Sequence, residues 1–408
     1  MLNIKKYLTL IFIALSLSTP SHAETNSLDH KIQSLIDEYL VTVGKNESAS
    51  GVSLLIAYPA NNKVIKKSFY AGKTSHLPDA KPVDSHDLFE IGSITKSYTA
   101  ALILQLEAEG VLNINDSLGK WLPQFPMWKE VTLKQLLNMS SGIPSYSSNP
   151  EFMKILQNNF RLDMNNDYLL SFAKPNEPIE IGKKFDYSNT NYVLAGMVIE
   201  AATGKSYAEV LKTRIFEPLG LKNTYYPSGP NWKKINKKIL PQKVHGYLYD
   251  NDSDKVLDLY DTNLTWAGPS GAIVSTTSDQ MKWVKALFHG TIFPEATRKK
   301  LLQELESLIS LKNAQPISQV NKNDPYGFGL GVFSMYKDNQ HFWSYLGSTL
   351  AYRMFYLWKP CNEVRVVMAV NGKSGDPKST GEAQTQNLII KIYEEIIAAE
   401  PQLKCKKA

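Results

Sequence analysis

Glu90-Ile91-Gly92-Ser93-Ile94-Thr95-Lys96, continuing through Ser97-Tyr98-Thr99-Ala100-Ala101-Leu102-Ile103-Leu104-Gln105-Leu106, is the stretch on which the reading of the fold turns. A glycine and a small hydroxyl residue open a segment that is apolar on nearly every face until Gly110. That is the pattern of a buried central helix with Ser93 at its N-terminal end. Positions three apart share a helix face, so Ser93 and Lys96 point the same way. A serine beside a lysine pairs a nucleophile with a base, and the free N–H groups of a helix start favour negative charge developing there.

Ser-x-x-Lys alone is a common spacing. It recurs at Ser117 to Lys120, Ser171 to Lys174 and Ser334 to Lys337. The Ser334 copy reads as part of a strand from Gly327 to Met335, where residues three apart face opposite ways. Only the Ser93 copy opens a buried helix.

The 408 residues suffice for one large domain or two interleaved ones, and 43% hydrophobic with 21% charged residues is ordinary globular composition. The net charge of +6 is too diffuse to argue for nucleic acid. The densest basic cluster, Lys233, Lys234, Lys237, Lys238 and Lys243, falls in a stretch with Pro and Asn and reads as a solvated loop. Lys5-Lys6, an apolar run from Tyr7 to Leu17 and Ser21-His22-Ala23 form a secretory signal peptide over 1–23, so an exported protein starting at Glu24 is expected, periplasmic or secreted. No run of about 20 apolar residues follows, so no membrane span is expected. Cys361 and Cys405 allow one disulfide in an exported chain, with two buried thiols as the alternative. The seven histidines show no ligand spacing and His-Glu-x-x-His is absent, so neither metal nor cofactor is implied.

Leu28 to Val43 has helical periodicity, and Gly51 to Tyr58 and Val64 to Tyr70 read as a hairpin. Leu133 to Met139 reads as a short helix, and residues 145–180, rich in Asn, Ser and Pro, as a surface insertion. Strands are predicted at His341 to Leu346, Tyr352 to Trp358 and Val364 to Val370, after a helix from Asp279 to His289 and before a closing helix from Asn387 to Ala399. The result is an α+β fold: an antiparallel sheet flanked by helices, contributed by 24–88 and 265–408, with a mostly helical domain, 89–264, inserted. The site is expected at their junction.

A second motif lies in Phe185-Asp186-Tyr187-Ser188-Asn189-Thr190-Asn191-Tyr192, ahead of an apolar helix. Ser188, Asn189 or Thr190 could serve merely as a cap. Alternatively, Tyr187 and Asn189, two apart on a tight loop, both project into a cleft. Ser93-x-x-Lys96 with Tyr187-x-Asn189 resembles the serine β-lactamase and penicillin-binding superfamily, in its class C β-lactamase and DD-peptidase branch with the esterase relatives. Leu136-Leu137-Asn138-Met139-Ser140-Ser141-Gly142, Ile215-Phe216-Glu217-Pro218-Leu219-Gly220 and Tyr326-Gly327-Phe328-Gly329-Leu330-Gly331 also look like family segments, in family order.

The resemblance implies that Ser93 is the acylated nucleophile, that Lys96 and Tyr187 share its proton, and that Asn189 binds the substrate and Lys96. The family's third motif, Lys-Thr-Gly or His-x-Gly, falls at Tyr345-Leu346-Gly347. Gly347 still permits close approach, and the N–H of Ser348 with that of Ser93 can form the oxyanion hole. Tyr345 carries no charge near pH 7, so a substrate carboxylate loses a partner worth about 1.5–3 kcal/mol. His341, four residues away at about 13 Å, is no substitute, and Arg353, just past the turn, is a candidate for reaching back. Trp343, Tyr345 and Trp266 are candidates for an aromatic lining. An exported serine acyl hydrolase is therefore expected, acting on a small ester, amide or peptidoglycan-derived substrate without a free carboxylate beside the scissile bond. The alternatives are a β-lactamase or DD-carboxypeptidase, and a non-catalytic envelope binding protein.

Overall fold

The computed structural model describes residues 27–405 apart from 175–177, 252 and 377, so the leader-like segment 1–23 lies outside the described residues. Leu28–Tyr39 is the first helix, amphipathic and capped by the Ser27 side chain on the His30 N–H. The strands Gly51–Ala60 and Lys63–Gly72 pair antiparallel. Their turn is Asn61-Asn62, both at positive φ (50° and 59°), which asparagine tolerates better than most residues.

These strands are one side of a nine-stranded sheet. Its order runs Lys63–Gly72, Gly51–Ala60, Val364–Val370, Arg353–Lys359, Gln340–Ser348, Phe333–Lys337, Tyr326–Phe328, Leu308–Ser310 and Pro316–Ile317, antiparallel throughout. Alternation splits the strands between two cores. Leu54, Ile56, Val366 and Met368 meet the helices Leu28–Tyr39 and Gly381–Ala399 on one face. Leu55, Ala57, Val367 and Tyr356 join the larger cluster on the other, with the helical part of the chain. The Cys361–Cys405 disulfide ties the turn before Val364–Val370 to the segment after the closing helix.

The central helix is Thr95–Ala108, with every residue from Thr95 to Leu106 buried. Leu102, Ile103, Leu104 and Leu106, fully enclosed, each contribute about 1.5–3 kcal/mol of burial. Several of its polar groups find partners inside: Tyr98 stacks on Trp283 at 3.7 Å and accepts from Gln280, and Trp283 Nε1 donates to Ser97 Oγ at 2.9 Å.

Four expectations are corrected. Gly327 to Met335 is not one strand: Tyr326–Phe328 and Phe333–Lys337 form a hairpin. Its turn needs Gly331 at φ 72°, packed on the central helix where a Cβ would come 2.7 Å from the Lys96 carbonyl oxygen. The closing helix starts earlier, at Gly381. The basic cluster is solvated at Lys233, Lys234, Lys237 and Lys238 but is not a loop, because Trp232–Ile239 is helical, and Lys243 is buried in an ion pair with Glu90 at 2.6 Å. Residues 145–180 include the helices Pro150–Asn158 and Asn166–Ser171, but Tyr146 at their start is fully buried, so the segment is not wholly a surface insertion.

Candidate active site

Ser93 sits in the 3-10 turn Gly92–Ile94 that leads into the central helix. The end of the strand Gln340–Ser348 closes on this turn backbone against backbone. A Cβ on Gly92, which adopts φ 51°, would lie 2.5 Å from the Ser348 nitrogen, and one on Gly347 would lie 1.8 Å from the Ile91 carbonyl oxygen. Only glycine fits either position, and the approach holds the backbone nitrogen of Ser348 beside the turn that carries Ser93.

Lys96 is completely buried and donates to Ser93 Oγ at 3.1 Å, Asn189 Oδ1 at 2.7 Å and the Ser270 carbonyl at 2.8 Å. Three acceptors match the three N–H bonds of an ammonium. Burial nevertheless pulls its pKa below the ordinary lysine value, while Tyr187 acts the other way. The Tyr187 hydroxyl reaches Ser93 Oγ at 2.8 Å and Tyr345 at 3.2 Å, and the Lys96 ammonium sits 4.9 Å from the Tyr187 ring centre. Burial, then Tyr187, pushes the Tyr345 phenol well above its usual value. Tyr345 is a neutral hydrogen-bonding group aimed into the site.

Tyr187 and Asn189 project into the site as a pair. The capping alternative is not realised, since Ser188 makes no side-chain cap on the helix Asn189–Thr203 and Thr190 Oγ1 donates to the Pro144 carbonyl. Ser145 Oγ accepts from the Asn189 N–H at 3.1 Å, and Ser147 Oγ from its side-chain amide at 2.8 Å. Ser147 and Ser270 were missed in the sequence because small polar residues in irregular segments carry no periodic signal.

Arg353 does not reach back. It lies directly opposite Ser348 and Val370 in the sheet, on the face away from Tyr345, with its guanidinium in a buried fork on Glu47. Glu47→Ala should therefore cost about 3–5 kcal/mol, as expected for a buried charge stripped of its partner, read as a lower urea midpoint. His341 is occupied by Ser334 at 2.7 Å, and burial lowers its pKa to about 4. Trp343 is core packing 5.4 Å from Phe288, and Trp266 contributes its carbonyl to Tyr146 at 2.7 Å. Neither lines the cleft.

The sequence also missed a cation. Lys373, on the short strand Gly372–Ser374, donates to Ser348 Oγ at 2.8 Å and lies 3.5 Å from Glu382. Its only local signal is the triplet Lys373-Ser374-Gly375, a Lys-small-Gly pattern outside the expected order. Beyond Trp343 the strand Gln340–Ser348 has no pairing with Phe333–Lys337, which leaves an open edge. A cleft of about 560 Å³ opens there, walled by Phe185, Tyr187, Phe328, Phe333, Tyr345 and Leu346. Among the described residues, no group of His, Cys, Asp or Glu is placed to hold a metal, and no helix is long and apolar enough to cross a membrane.

A serine, a lysine and a tyrosine converging where a strand end meets a helix start, in this α+β frame, define the serine acyl-transfer class. The Beta-lactamase family model matches residues 35–389, and the chain belongs to that family of serine hydrolases. It is similar to Penicillin-binding protein 4* of Bacillus subtilis (strain 168), 32% identical over 271 residues covering 62% of this chain and 54% of that protein. The chain thus spans about half the length of that relative. It is also similar to Protein flp of Staphylococcus aureus (strain MW2), 28% identical over 387 residues covering 93% of this chain and 70% of that one. Among solved structures, D-amino acid amidase from Ochrobactrum anthropi SV3 shares the fold with a TM-score of 0.74 and 24% identity, covering 91% of this chain and 99% of that one. D-alanine carboxypeptidase AmpC from Burkholderia cenocepacia does so with a TM-score of 0.65 and 18% identity, covering 90% and 99%.

Proposed function

We propose that the protein is an exported serine acyl hydrolase acting through a Ser93 acyl-enzyme on an ester or amide substrate. The observation that carries this reading is the convergence on Ser93 Oγ of Lys96 Nζ at 3.1 Å and the Tyr187 hydroxyl at 2.8 Å, beside the backbone nitrogen of Ser348. Ser93 Oγ attacks the carbonyl carbon as its proton passes to the Lys96 and Tyr187 pair. The N–H groups of Ser93 and Ser348 take up the charge on the carbonyl oxygen. Tyr187 then protonates the departing alcohol or amine. Water enters, gives a proton to the same pair and attacks the acyl carbon, which releases the acid and restores Ser93. Asn189 holds Lys96 in place and binds the substrate's amide or ester. The amidase and carboxypeptidase among the structures of the same fold support an amide as readily as an ester.

Neutral Lys96 is the form able to accept the proton, and its pKa is lowered in the fold. The kcat/KM for an uncharged ester should therefore rise with pH through a limb below the ordinary lysine value of 10.5. Lys96→Arg, charged throughout that range, should lose the limb along with most of the activity, read from pH–rate profiles.

Intact-mass analysis after exposure to a fluorophosphonate and, separately, to a penicillin tests the reading. A single fluorophosphonate adduct on Ser93 is expected. An adduct from neither reagent overturns the hydrolase reading and leaves a binding protein. β-Lactamase or DD-carboxypeptidase activity is the second reading, favoured by Lys373 at Ser348. Export rests on the leader-like 1–23 segment and is supported by the Cys361–Cys405 disulfide, a bond at home in oxidising compartments. Its test is whether the mature chain outside the cytoplasm begins at Glu24.

A further inference from the structure

The cleft beside Ser93 is aromatic, yet one of its walls carries a formal charge of the unexpected sign. The start of the closing helix and the turn before it contribute Ser379, Glu382, Ala383 and Gln386 to the lining, and Glu382 is the lining residue that carries a charge. Tyr187 walls the same cleft and, in the reading above, on which this inference rests, protonates the leaving group. The cleft is therefore where the leaving group lies. A leaving group bearing a carboxylate would run along the open edge toward Leu346 and Ser348 and there meet Lys373, which donates to Ser348 Oγ. That cation already has an anion. Glu382 lies 3.5 Å from Lys373 Nζ, with the two side chains 50% and 30% exposed, so the pair forms at the rim, where a ligand can compete for it.

We propose that Glu382 acts as a built-in blocking carboxylate: it occupies Lys373, the cation beside the leaving-group cleft, and makes the site discriminate against substrates with a free carboxylate next to the scissile bond. The physical basis has two parts. Glu382 is tethered, so its effective concentration at Lys373 exceeds that of any diffusing ligand. Its own negative charge faces the cleft, so an arriving carboxylate meets repulsion as well as a neutralised partner, and specificity of this kind comes from the repulsive element as much as the attractive one. An uncharged ester or amide meets neither obstacle. The geometry thus makes Lys373 a latent carboxylate clamp and Glu382 the residue that determines whether it acts as one.

Calorimetric binding of an N-acylated D-alanyl-D-alanine and of its C-terminal amide to the full mature protein tests this without relying on turnover. The wild type is expected to bind the acid no more tightly than the amide. Glu382→Gln should raise the acid-over-amide preference at least tenfold, Glu382→Ala should do the same, and Lys373→Met added to Glu382→Gln should abolish the gain. The proposal is overturned by a tenfold preference for the acid in the wild type, by a preference unchanged in both Glu382 variants, by a gain that survives the loss of Lys373, or by no binding of either peptide to any variant. Fluorophosphonate labelling run alongside separates the two readings. Lost labelling with the preference shift intact removes the hydrolase and keeps the clamp, whereas intact labelling without the shift removes the clamp alone.

Discussion

Ser93→Ala is expected to remove turnover of an activated ester by about four orders of magnitude or more, with the fold intact. In triad-type hydrolases loss of the nucleophile costs about as much as loss of the whole catalytic set, because the groups act as a unit. Here Lys96 and Tyr187 both direct their hydrogen bonds at Ser93 Oγ. Without that oxygen neither has a proton to move. The fold should persist because the deleted atom is a single hydroxyl on a half-buried residue. Lys96 keeps Asn189 Oδ1 and the Ser270 carbonyl, so the buried ammonium retains two of its three partners. The measurement is kcat/KM for a p-nitrophenyl ester beside a urea unfolding curve. A variant that unfolds at the same urea concentration but turns over normally would exclude Ser93 as the nucleophile.

Gly347→Ala is expected to lower kcat/KM about 10²- to 10³-fold and to destabilise the protein by about 1–3 kcal/mol. The reason is steric. The new Cβ would fall 1.8 Å from the Ile91 carbonyl oxygen, and a backbone atom beside the Ser93 turn cannot rotate away as a flexible side chain could. The strand end must retreat and take the Ser348 N–H with it, and losing one oxyanion donor is worth about the stated factor. Gly110→Ala is the control. Gly110 adopts φ 70°, but a Cβ there would meet nothing within 4 Å, so the change should cost about 1–2 kcal/mol of backbone strain and no activity. An acylation rate unchanged in Gly347→Ala would remove Ser348 from the oxyanion hole.

The central helix was legible from residues alone. Its sequence is apolar on nearly all faces, and only a helix enclosed on every side satisfies such a pattern. The Ser93-x-x-Lys96 spacing, common by itself, stood out because it opens that helix, where both residues lie within one turn of each other. The strands His341 to Leu346, Tyr352 to Trp358 and Val364 to Val370 were readable from composition, and Val364–Val370 forms over its predicted span. Where the sequence misled, the deciding force came from a distant part of the chain. Gly329 and Gly331 break an apparently continuous strand because the hairpin must turn against the central helix.

Charge placement shows the same division. A sequence fixes which residues carry charge, and strand alternation fixes which share a face once register is known, but register across nine strands depends on pairings hundreds of residues apart. Arg353 stands five residues from Ser348 in the chain and directly opposite it in the sheet, yet burial with Glu47 draws its guanidinium away from the site. Lys373, farther along the chain, reaches Ser348 because the strand Gly372–Ser374 pairs in parallel with Tyr247–Asp250 and carries a long side chain across the strand end. The sequence by itself determined the buried central helix and the shared face of Ser93 and Lys96 at its start, since these follow from local periodicity, and the family-like segments in order carried the kind of fold. Only the tertiary structure decided which cation and which carboxylate border the cleft, because those positions are set by long-range pairing and by the sheet's two buried faces.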